Sequence, residues 1–385
     1  MGFAPPARPR GGGGRRQPVS GRKPETRLAA RLKRRIAADG PITVADFMNA
    51  CLSDPEDGYY MMAEPFGAGG DFITAPEVSQ LFGELIGAWL VHVWRLSGSP
   101  PHFHLVEPGP GRGTLMADAL RVARLDSDFM KAAHLTLVET SPRLREKQAE
   151  TLAKAPLKPQ FASHLGEIAD NAPLFLVANE FFDALPIHQH ILTGDGWRER
   201  MVGLDDAGEL CFGIGPASLA SPDVPAAARN AAPGAVLETQ PLSNAIATSI
   251  GERIATRGGA ALVIDYGYLR SAPGDTLQAI YRHEFDPVLV RPGEADLTAH
   301  VNFEALGHAF RSAGAQVGGP MTQGDFLIGL GLLERAGQLG AGKPAHVQER
   351  IRADVERLAG PDAMGTLFKV LAVTKQGLSP PPFDT

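Results

Sequence analysis

Apolar residues recur at helical spacing in the first quarter of the chain, beginning near Thr26. The first such pattern consists of Leu28, Leu32 and Ile36. Gly40 followed by proline is typical of a helix end. The segment from Thr74 to Glu77 reads Thr-Ala-Pro-Glu, a capping box with proline in the first turn. The apolar stripe after it consists of Val78, Phe82, Leu85, Ile86, Trp89 and Val93. These patterns predict a helical section over residues 26–100.

Short apolar runs alternate with helical patterns after residue 100. The runs that predict buried strands are Phe103–Glu107, His134–Val138, Leu174–Ala178, Leu262–Ile264 and Phe368–Val373. Helical patterns over Leu115–Leu125 and from Ser141 onward follow the first two runs, so two strand-helix units lie in series. Strands that are apolar throughout are typical of parallel sheets covered by helices on both faces. We therefore predict an α/β domain over residues 101–385, with a mostly parallel sheet.

Residues 187–220 differ from the strand-helix units, because their pattern is typical of paired antiparallel strands. Trp197–Leu204 and Glu209–Ile214 lie on either side of a turn-like segment, Asp205–Gly208, and predict an antiparallel hairpin. Residues 215–235 are rich in alanine, proline and serine and predict a loop. Together they predict an insertion in the α/β domain at about 187–235.

The first 25 residues are basic and rich in glycine and proline. Residues 1–24 contain six arginine or lysine residues, no acidic residue and four consecutive glycines, which predicts a disordered tail. A mitochondrial transit peptide has a similar charge, but the prolines and the glycine run disfavour its amphipathic helix. We expect a protein of the bacterial cytoplasm, or of the mitochondrial matrix if the source is eukaryotic.

Composition and charge disfavour several functional classes. The formal net charge of −6 disfavours a general nucleic-acid binder, because such proteins carry basic surfaces that neutralise phosphates. Cys51 and Cys211 are the only cysteines and form no CxxC pair, so we expect neither a disulfide scaffold nor a structural zinc site. No apolar run approaches the roughly 18 residues of a membrane span.

The main candidate for a binding motif runs from Glu107 to Gly113 and reads Glu-Pro-Gly-Pro-Gly-Arg-Gly between the first predicted strand and its helix. Gly109, Gly111 and Gly113 would let the backbone approach a ligand, and Glu107 can accept a hydrogen bond from a polar or cationic ligand group. A dinucleotide fingerprint requires glycine or alanine where Thr114 stands, and the lysine of a P-loop is missing. A tight turn without a ligand is the alternative.

Glu139 follows the second predicted strand, where nucleotide-binding α/β folds offer a carboxylate to ribose hydroxyls. Considered alone, Glu139 is better explained as an acid at a helix start, because negative charge there complements the helix dipole. In combination with the glycine turn, a ribose-binding role is favoured.

Two carboxylates and an amide follow the strand that ends near Ala178. They belong to the string Asn179-Glu180-Phe-Phe-Asp183. Burying carboxylates without partners is costly, and a substrate guanidinium matches them because its planar donors bind carboxylates in bidentate fashion. Equally compatible with the sequence is a structural arrangement, in which Asp183 caps a helix and Glu180 pairs with an internal arginine.

The chain resembles the MidA-like methyltransferases, a family whose mitochondrial member methylates arginine and assists the assembly of respiratory complex I. The resemblance extends from about Leu28 to Val373. It is carried by Gly58-Tyr-Tyr, Gly70-Asp-Phe-Ile-Thr-Ala-Pro-Glu77, Phe82-Gly-Glu84, Glu107-Pro-Gly-Pro-Gly-Arg-Gly-Thr114, Asn179-Glu-Phe-Phe-Asp-Ala-Leu-Pro186, Asp265-Tyr-Gly267 and Thr298-Ala-His-Val301. It implies a Rossmann-like class I methyltransferase fold, S-adenosylmethionine as donor, and an arginine of a complex I subunit as acceptor.

Methyl transfer from a sulfonium is an in-line displacement, so the protein positions the acceptor and excludes water, and no metal is needed. The residues expected to bind the cofactor are Glu107, Gly109, Gly111, Gly113 and Glu139. The residues expected to serve the acceptor are Asn179, Glu180 and Asp183. Tyr266 and Phe72 are candidates for shaping the pocket, with ordinary packing as the alternative. His300 is a minor candidate for a base, with a structural role as the alternative.

Two other functions compete with this interpretation. An assembly chaperone could bind S-adenosylmethionine without turnover, although the intact Glu180 and Asp183 favour catalysis. A methyltransferase for a small molecule or for RNA is the third possibility. The net negative charge and the paired carboxylates favour a cationic protein acceptor over nucleic acid.

Overall fold

The computed structural model describes residues 25–62 and 74–383. Its helices are α1 (Arg27–Asp39), α2 (Val44–Ser53), α3 (Tyr59–Met62), α4 (Ala75–Val78), α5 (Gln80–Leu96), α6 (Thr114–Ala123), α7 (Ser127–Ala132), α8 (Pro142–Thr151), α9 (Pro241–Arg257), α10 (Phe303–Ser312), α11 (Gln323–Gly329), α12 (Leu332–Gly340), α13 (Ala345–Ala359) and α14 (Met364–Leu367). Its strands are β1 (Ile42–Thr43), β2 (Phe103–Pro108), β3 (Ala133–Val138), β4 (Gln160–Ala162), β5 (Leu174–Asn179), β6 (His188–Thr193), β7 (Gly196–Leu204), β8 (Leu210–Ser218), β9 (Val236–Thr239), β10 (Gly259–Tyr268), β11 (Gln278–Tyr281), β12 (Glu284–Asp286), β13 (Asp296–Thr298), β14 (Val301–Asn302), β15 (Gln316–Thr322) and β16 (Phe368–Thr374).

The chain divides into two compact units. The first unit contains the described residues within 1–65, 184–242 and 271–299, and the second contains those within 66–183, 243–270 and 300–385. Among the described residues, no helix is both long and apolar enough to span a membrane.

The sheet of the second unit has the strand order β15-β16-β10-β5-β2-β3-β4. The strands from β10 to β4 in this order run parallel, whereas β16 runs antiparallel to both of its neighbours. Every residue of β5 is buried, as expected for a central strand covered on both faces. Parallel strands place their carboxyl ends at one edge of the sheet, and the glycine turn, Glu139 and the Asn179–Asp183 segment all follow strands at that edge.

The helix predicted to begin at Thr74 is interrupted after one turn. Ser79 has extended backbone angles, φ −158° and ψ 142°, and its side chain caps the longer helix α5 through the amide of Leu81. The predicted capping box is wrong, because the Thr74 side chain makes no cap hydrogen bond. The Glu77 carboxylate instead accepts a hydrogen bond from the Thr114 hydroxyl at 2.7 Å, a contact across 37 residues that local sequence does not reveal.

The section predicted to be helical over residues 26–100 is divided between the two units. Helices α1 and α2 bury their apolar sides in the core of the first unit, together with Ile187, Val202 and Leu297. Helix α5 packs instead in the core of the second unit, against side chains of α6 such as Leu115 and Leu120.

The first unit contains a five-stranded antiparallel sheet, ordered β1-β7-β6-β9 with β8 also paired to β7. Strands β7 and β8 are the two arms of the hairpin predicted around Asp205–Gly208. The segment is part of a larger sheet than the sequence suggested, because β1, more than 140 residues earlier in the chain, pairs with Val202 and Met201 of β7. A second sheet has the order β12-β11-β13.

Candidate active site

The glycine turn leaves β2 with three backbone conformations that favour glycine. Gly109, Gly111 and Gly113 have φ values of 61°, 51° and 81°, in the left-handed region that side chains other than glycine rarely adopt. The Gly109 amide donates to the carbonyl of Val138 at 3.0 Å, which ties the turn to the end of β3. A Cβ atom on Gly109 would lie 3.2 Å from the ring of Phe181. The turn is therefore fixed in shape, and at its three glycines it presents backbone rather than side chains.

Glu107, the last acid before the turn, is 3% exposed, and its Oε2 atom has no hydrogen-bond partner among the described residues. Burial raises the pKa of Glu107 well above its ordinary value. A buried carboxylate oxygen without a partner is costly. This atom therefore fits a ligand that brings its own N–H donors, above all a cationic one.

Glu139 lies at the end of β3 and is held by groups of the protein. Its Oε1 accepts a hydrogen bond from the Ser141 amide at 2.8 Å, and its Oε2 accepts one from Gln148 at 3.2 Å. Burial raises the pKa of Glu139, and these two donors partly oppose that rise. Ser141 is the N-cap of α8, so the Glu139 carboxylate also contacts the start of that helix. This contact agrees with the alternative role that the sequence suggested for Glu139, an acid at a helix start.

Gln148 is a further residue of the candidate site, to which the sequence patterns assign no role. Its side chain is fully buried, and Nε2 donates both to the carbonyl of Gly111 at 2.8 Å and to Glu139. It therefore joins the glycine turn to the carboxylate of the next strand. The one available signal was its position between Leu144 and Leu152, where an apolar side chain would be expected.

Asn179 is the last residue of β5, and the chain turns sharply at Glu180, directly after it. Glu180 has φ 49°, a left-handed conformation that is strained for this residue type. Its Oε1 accepts hydrogen bonds from the Ala75 amide at 3.3 Å and from the Asn179 side-chain amide at 3.2 Å. These described partners are amides, in contrast to the internal arginine considered above. Burial, together with the charge of Asp183, raises the pKa of Glu180 to about 8.

Asp183 is 5% exposed, and the segment after it continues into β6 rather than into a helix. Its backbone amide donates to Asp265 on β10. The capping role considered from sequence is therefore wrong. Asp265 belongs to one of the strings that carry the family resemblance, Asp265-Tyr-Gly267, but its role was not predicted from the sequence.

One cleft brings the two halves of the candidate site together. The predicted site residues that line it are Glu107, Gly109, Gly111, Asn179 and Glu180. Gly113, Glu139 and Asp183 lie outside this described lining, although Glu139 is joined to Gly111 by Gln148. Glu77 and Arg112 also line the cleft and lie 3.7 Å apart.

Two of the remaining candidates, Tyr266 and His300, pack against each other. Tyr266 packs edge-on against His300, with ring centroids 5.4 Å apart, and against Phe368 at 5.6 Å. Burial lowers the pKa of His300, and Lys369 lowers it further. Phe72 lies outside the described residues. Within the described part of the chain, no group of three or more histidine, cysteine or acidic side chains is placed to hold a metal ion.

The sequence and fold of the chain are similar to those of known methyltransferases. Residues 85–321 match the model of a family described as S-adenosyl-L-methionine-dependent methyltransferase. The chain belongs to this family, so it is an enzyme that uses S-adenosylmethionine as methyl donor. One similar solved structure is the crystal structure of a Burkholderia thailandensis protein bound to S-adenosylhomocysteine. It is 31% identical, with a TM-score of 0.79, and the match covers 90% of this chain and 92% of that protein.

The curated relatives have a more specific name. The mouse protein arginine methyltransferase NDUFAF7, mitochondrial, is 38% identical, and the match covers 90% of this chain and 84% of the relative. The Drosophila melanogaster homologue is also 38% identical, with 93% and 87% covered. The human protein is 36% identical, with 91% and 84% covered.

Proposed function

We propose that the chain methylates an arginine side chain of a protein, with a subunit of respiratory complex I as acceptor during assembly. Similarity to the arginine methyltransferases named above extends over about nine tenths of the chain, which supports this acceptor. The observation that carries the proposal is the cleft in which Asn179 and Glu180 face the same space as Glu107 and the glycine turn. As a finer description of the fold, we propose the Rossmann-like class I arrangement, which the strand order and the single reversed strand β16 support.

The compartment is part of the same proposal. The curated relatives are mitochondrial proteins by name. We propose the mitochondrial matrix if the source is eukaryotic and the cytoplasm if it is bacterial.

We assign the donor side of the site, which comprises Glu107, the glycine turn and Glu139, to S-adenosylmethionine. Glu107 has a buried oxygen that a ligand ammonium would complete. Gly109, Gly111 and Gly113, all with positive φ, would let the backbone come close to the amino-acid part of the ligand. Glu139 would accept hydrogen bonds from the ribose hydroxyls. When bound, the cofactor supplies a methyl group on a positively charged sulfur.

On the acceptor side, Glu180 and Asp183 would orient the guanidinium through its N–H groups and offset its charge. Asn179 holds Glu180 through its side-chain amide and leaves its own buried oxygen, Oδ1, without a partner among the described residues. That oxygen can accept one further N–H from an acceptor. Fixing the attacking nitrogen near the methyl group and excluding water is the main contribution that a protein makes to such a displacement.

A chaperone that binds cofactor without turnover is the competing function. Such a protein gains nothing from raised carboxylate pKa values beside the donor site, because neutral side chains would be more stable there. The carboxyl groups of Glu180 and Asp183 therefore favour catalysis over a chaperone role.

The proposal is tested by incubating the purified chain with S-adenosylmethionine labelled in its methyl group and a membrane-cleared extract of cells that lack this protein. We expect label in one or a few polypeptides, recovered as methylarginine by mass spectrometry. Label on another residue type, or on RNA, would overturn the acceptor assignment. No transfer by a chain that binds S-adenosylhomocysteine normally would favour the chaperone.

A further inference from the structure

Asp265 is a fully buried carboxylate on β10, the strand beside the one that ends in Asn179. Its Oδ2 accepts hydrogen bonds from three successive backbone amides, those of Phe181 at 3.2 Å, Phe182 at 3.0 Å and Asp183 at 3.3 Å. Its Oδ1 accepts one from the amide of Tyr266 at 3.0 Å. One side chain from a distant part of the sequence therefore organises the whole turn after Glu180.

Three consecutive N–H groups that converge on one oxygen leave little freedom for the peptide planes between them. The residue directly before these planes is Glu180, which is held at φ 49°. A strained conformation of this kind persists only where surrounding contacts over-determine it. The Glu180 amide, bonded to the carbonyl of Ile264 at 2.9 Å, is the second contact from β10 that maintains it.

A buried carboxyl group is unusual where the side chain serves only to hold a turn in place. Burial raises the pKa of Asp265 well above its ordinary value, Asp183 and Glu180 raise it further, and the amides of the turn oppose them. A neutral acceptor such as asparagine or serine would satisfy backbone amides without bringing a third carboxylate next to two others. The arrangement costs stability and fixes the direction of Glu180 and Asp183.

We infer that Asp265 is a positioning residue for the acceptor, which sets the orientation of Glu180 and Asp183 by holding the amides of residues 181–183. The inference rests on the proposed role of those two carboxylates and leaves the donor side unaffected. It predicts that acceptor chemistry and cofactor affinity respond differently to changes at position 265.

The test compares Asp265→Leu, which cannot accept hydrogen bonds, with Asp265→Asn, which keeps one acceptor oxygen for the turn. Asp118→Asn is the matched control, because Asp118 is also a buried aspartate of the second unit and pairs with Arg121 rather than with the turn. Each variant is assayed for label transfer to the extract at saturating S-adenosylmethionine, for S-adenosylhomocysteine affinity by calorimetry, and for thermal unfolding. If Asp265→Leu does not fold, Asp265→Ala, which also cannot accept a hydrogen bond, replaces it.

We expect Asp265→Leu to lower the transfer rate about 100-fold and to change the affinity for S-adenosylhomocysteine less than twofold. Asp265→Asn should recover about tenfold of that loss, and Asp118→Asn should lower thermal stability while the transfer rate is maintained. The inference is overturned if Asp265→Leu transfers methyl at the normal rate, if cofactor affinity falls in parallel with transfer, or if asparagine recovers nothing.

Glu180→Gln, assayed in parallel, distinguishes a failure of the positioning role of Asp265 from a failure of the proposed acceptor site. An impaired Glu180→Gln with a normal Asp265→Leu rejects the positioning role alone. Normal transfer by Glu180→Gln rejects the acceptor site itself.

Discussion

The two sides of the cleft use carboxylates in opposite ways. On the donor side, Glu107 keeps one buried oxygen that has no partner in the described part of the chain, and Glu139 is held by neutral N–H donors. On the acceptor side, three acids lie close enough that Asp183 raises the pKa of Glu180, and both of them raise that of Asp265. A single buried charge suits one cationic group of a ligand that also has neutral parts. The neighbouring carboxyl groups of Glu180 and Asp183 suit a ligand group that is cationic throughout, such as a guanidinium, whereas Asp265 is already bonded to the amides of the turn.

The largest expected effect comes from the acceptor side. Glu180→Gln and Asp183→Asn keep the shape of each side chain and remove its charge, so methyl transfer should fall about 100-fold or more. Affinity for S-adenosylmethionine should change little, because these residues follow a different strand from the donor residues. Label transfer and calorimetry on the same preparations check both statements. Normal transfer by both variants would refute the carboxylate role.

On the donor side, Gly111→Val should weaken binding of S-adenosylhomocysteine about 30-fold, since valine is strained at φ 51° and its Cβ blocks close approach of the ligand. Gly98→Val is the control, because Gly98 also has a positive φ, 85°, but a Cβ there meets no atom within 4 Å. Calorimetry measures the affinity of both variants for S-adenosylhomocysteine. Equal affinities in the two variants would show that the turn is not the cofactor site.

Glu107→Gln should weaken cofactor binding about tenfold or more, through loss of a charged hydrogen bond. The same change should stabilise the ligand-free protein at neutral pH. Because the pKa of Glu107 is raised on folding, the native state favours its proton. Stability from this group is therefore present below about pH 4 and is lost as pH rises toward the folded pKa.

Thermal unfolding of Glu107→Gln and the parent chain at several pH values tests this trade-off. The two melting temperatures should be similar near pH 4, with the variant higher by a few degrees at pH 7. A lower melting temperature for the variant at pH 7 would mean that Glu107 has a stabilising partner in the native state.

The acceptor side should also impose a pH dependence. With the pKa of Glu180 at about 8 in the free enzyme, kcat/KM for the acceptor should fall about tenfold for each pH unit below that value. The guanidinium stays charged throughout, so the profile reports the carboxylate. Glu180→Gln should have a lower and flat profile. A flat profile in the parent chain between pH 6 and 8 would contradict the assignment.

The smallest effect is expected at Gln148, whose loss should weaken S-adenosylhomocysteine binding about fivefold. Gln148→Leu removes the link between Gly111 and Glu139. Gln323→Leu is a close match, because Gln323 is equally buried, donates to one carbonyl, that of Leu358, and also has an oxygen without a described partner. Both variants should lose similar thermal stability, and only the first should lose affinity. Equal affinities would leave Gln148 with a packing role.

Local patterns predicted the framework well. The strands β2, β3 and β5 and the cap of α8 at Ser141 lie where the sequence places them, because apolar runs and capping residues act over a few positions. The glycine turn and the Asn179–Asp183 segment were likewise found from their positions after strands. Their meeting in one cleft follows from the parallel order of the strands.

The residues that connect these elements could not be predicted in the same way. Asp265 contacts amides more than 80 positions earlier, and Gln148 contacts a carbonyl 37 positions earlier. Glu77 likewise bonds Thr114 instead of completing a capping box. Each contact depends on the packed sheet, so single-sequence patterns carry little trace of it. The pairing of β1 with β7 was missed for the same reason.

The most direct test of the division between donor and acceptor sides is a crystal structure of this chain with S-adenosylhomocysteine. We expect the ligand's amino-acid end at Gly109–Gly113 with its ammonium on Glu107, its ribose hydroxyls on Glu139, and its sulfur facing Asn179 and Glu180. Glu180 bonded to the ligand's ammonium or ribose would contradict the account, because the carboxylates assigned to the acceptor would then belong to the donor.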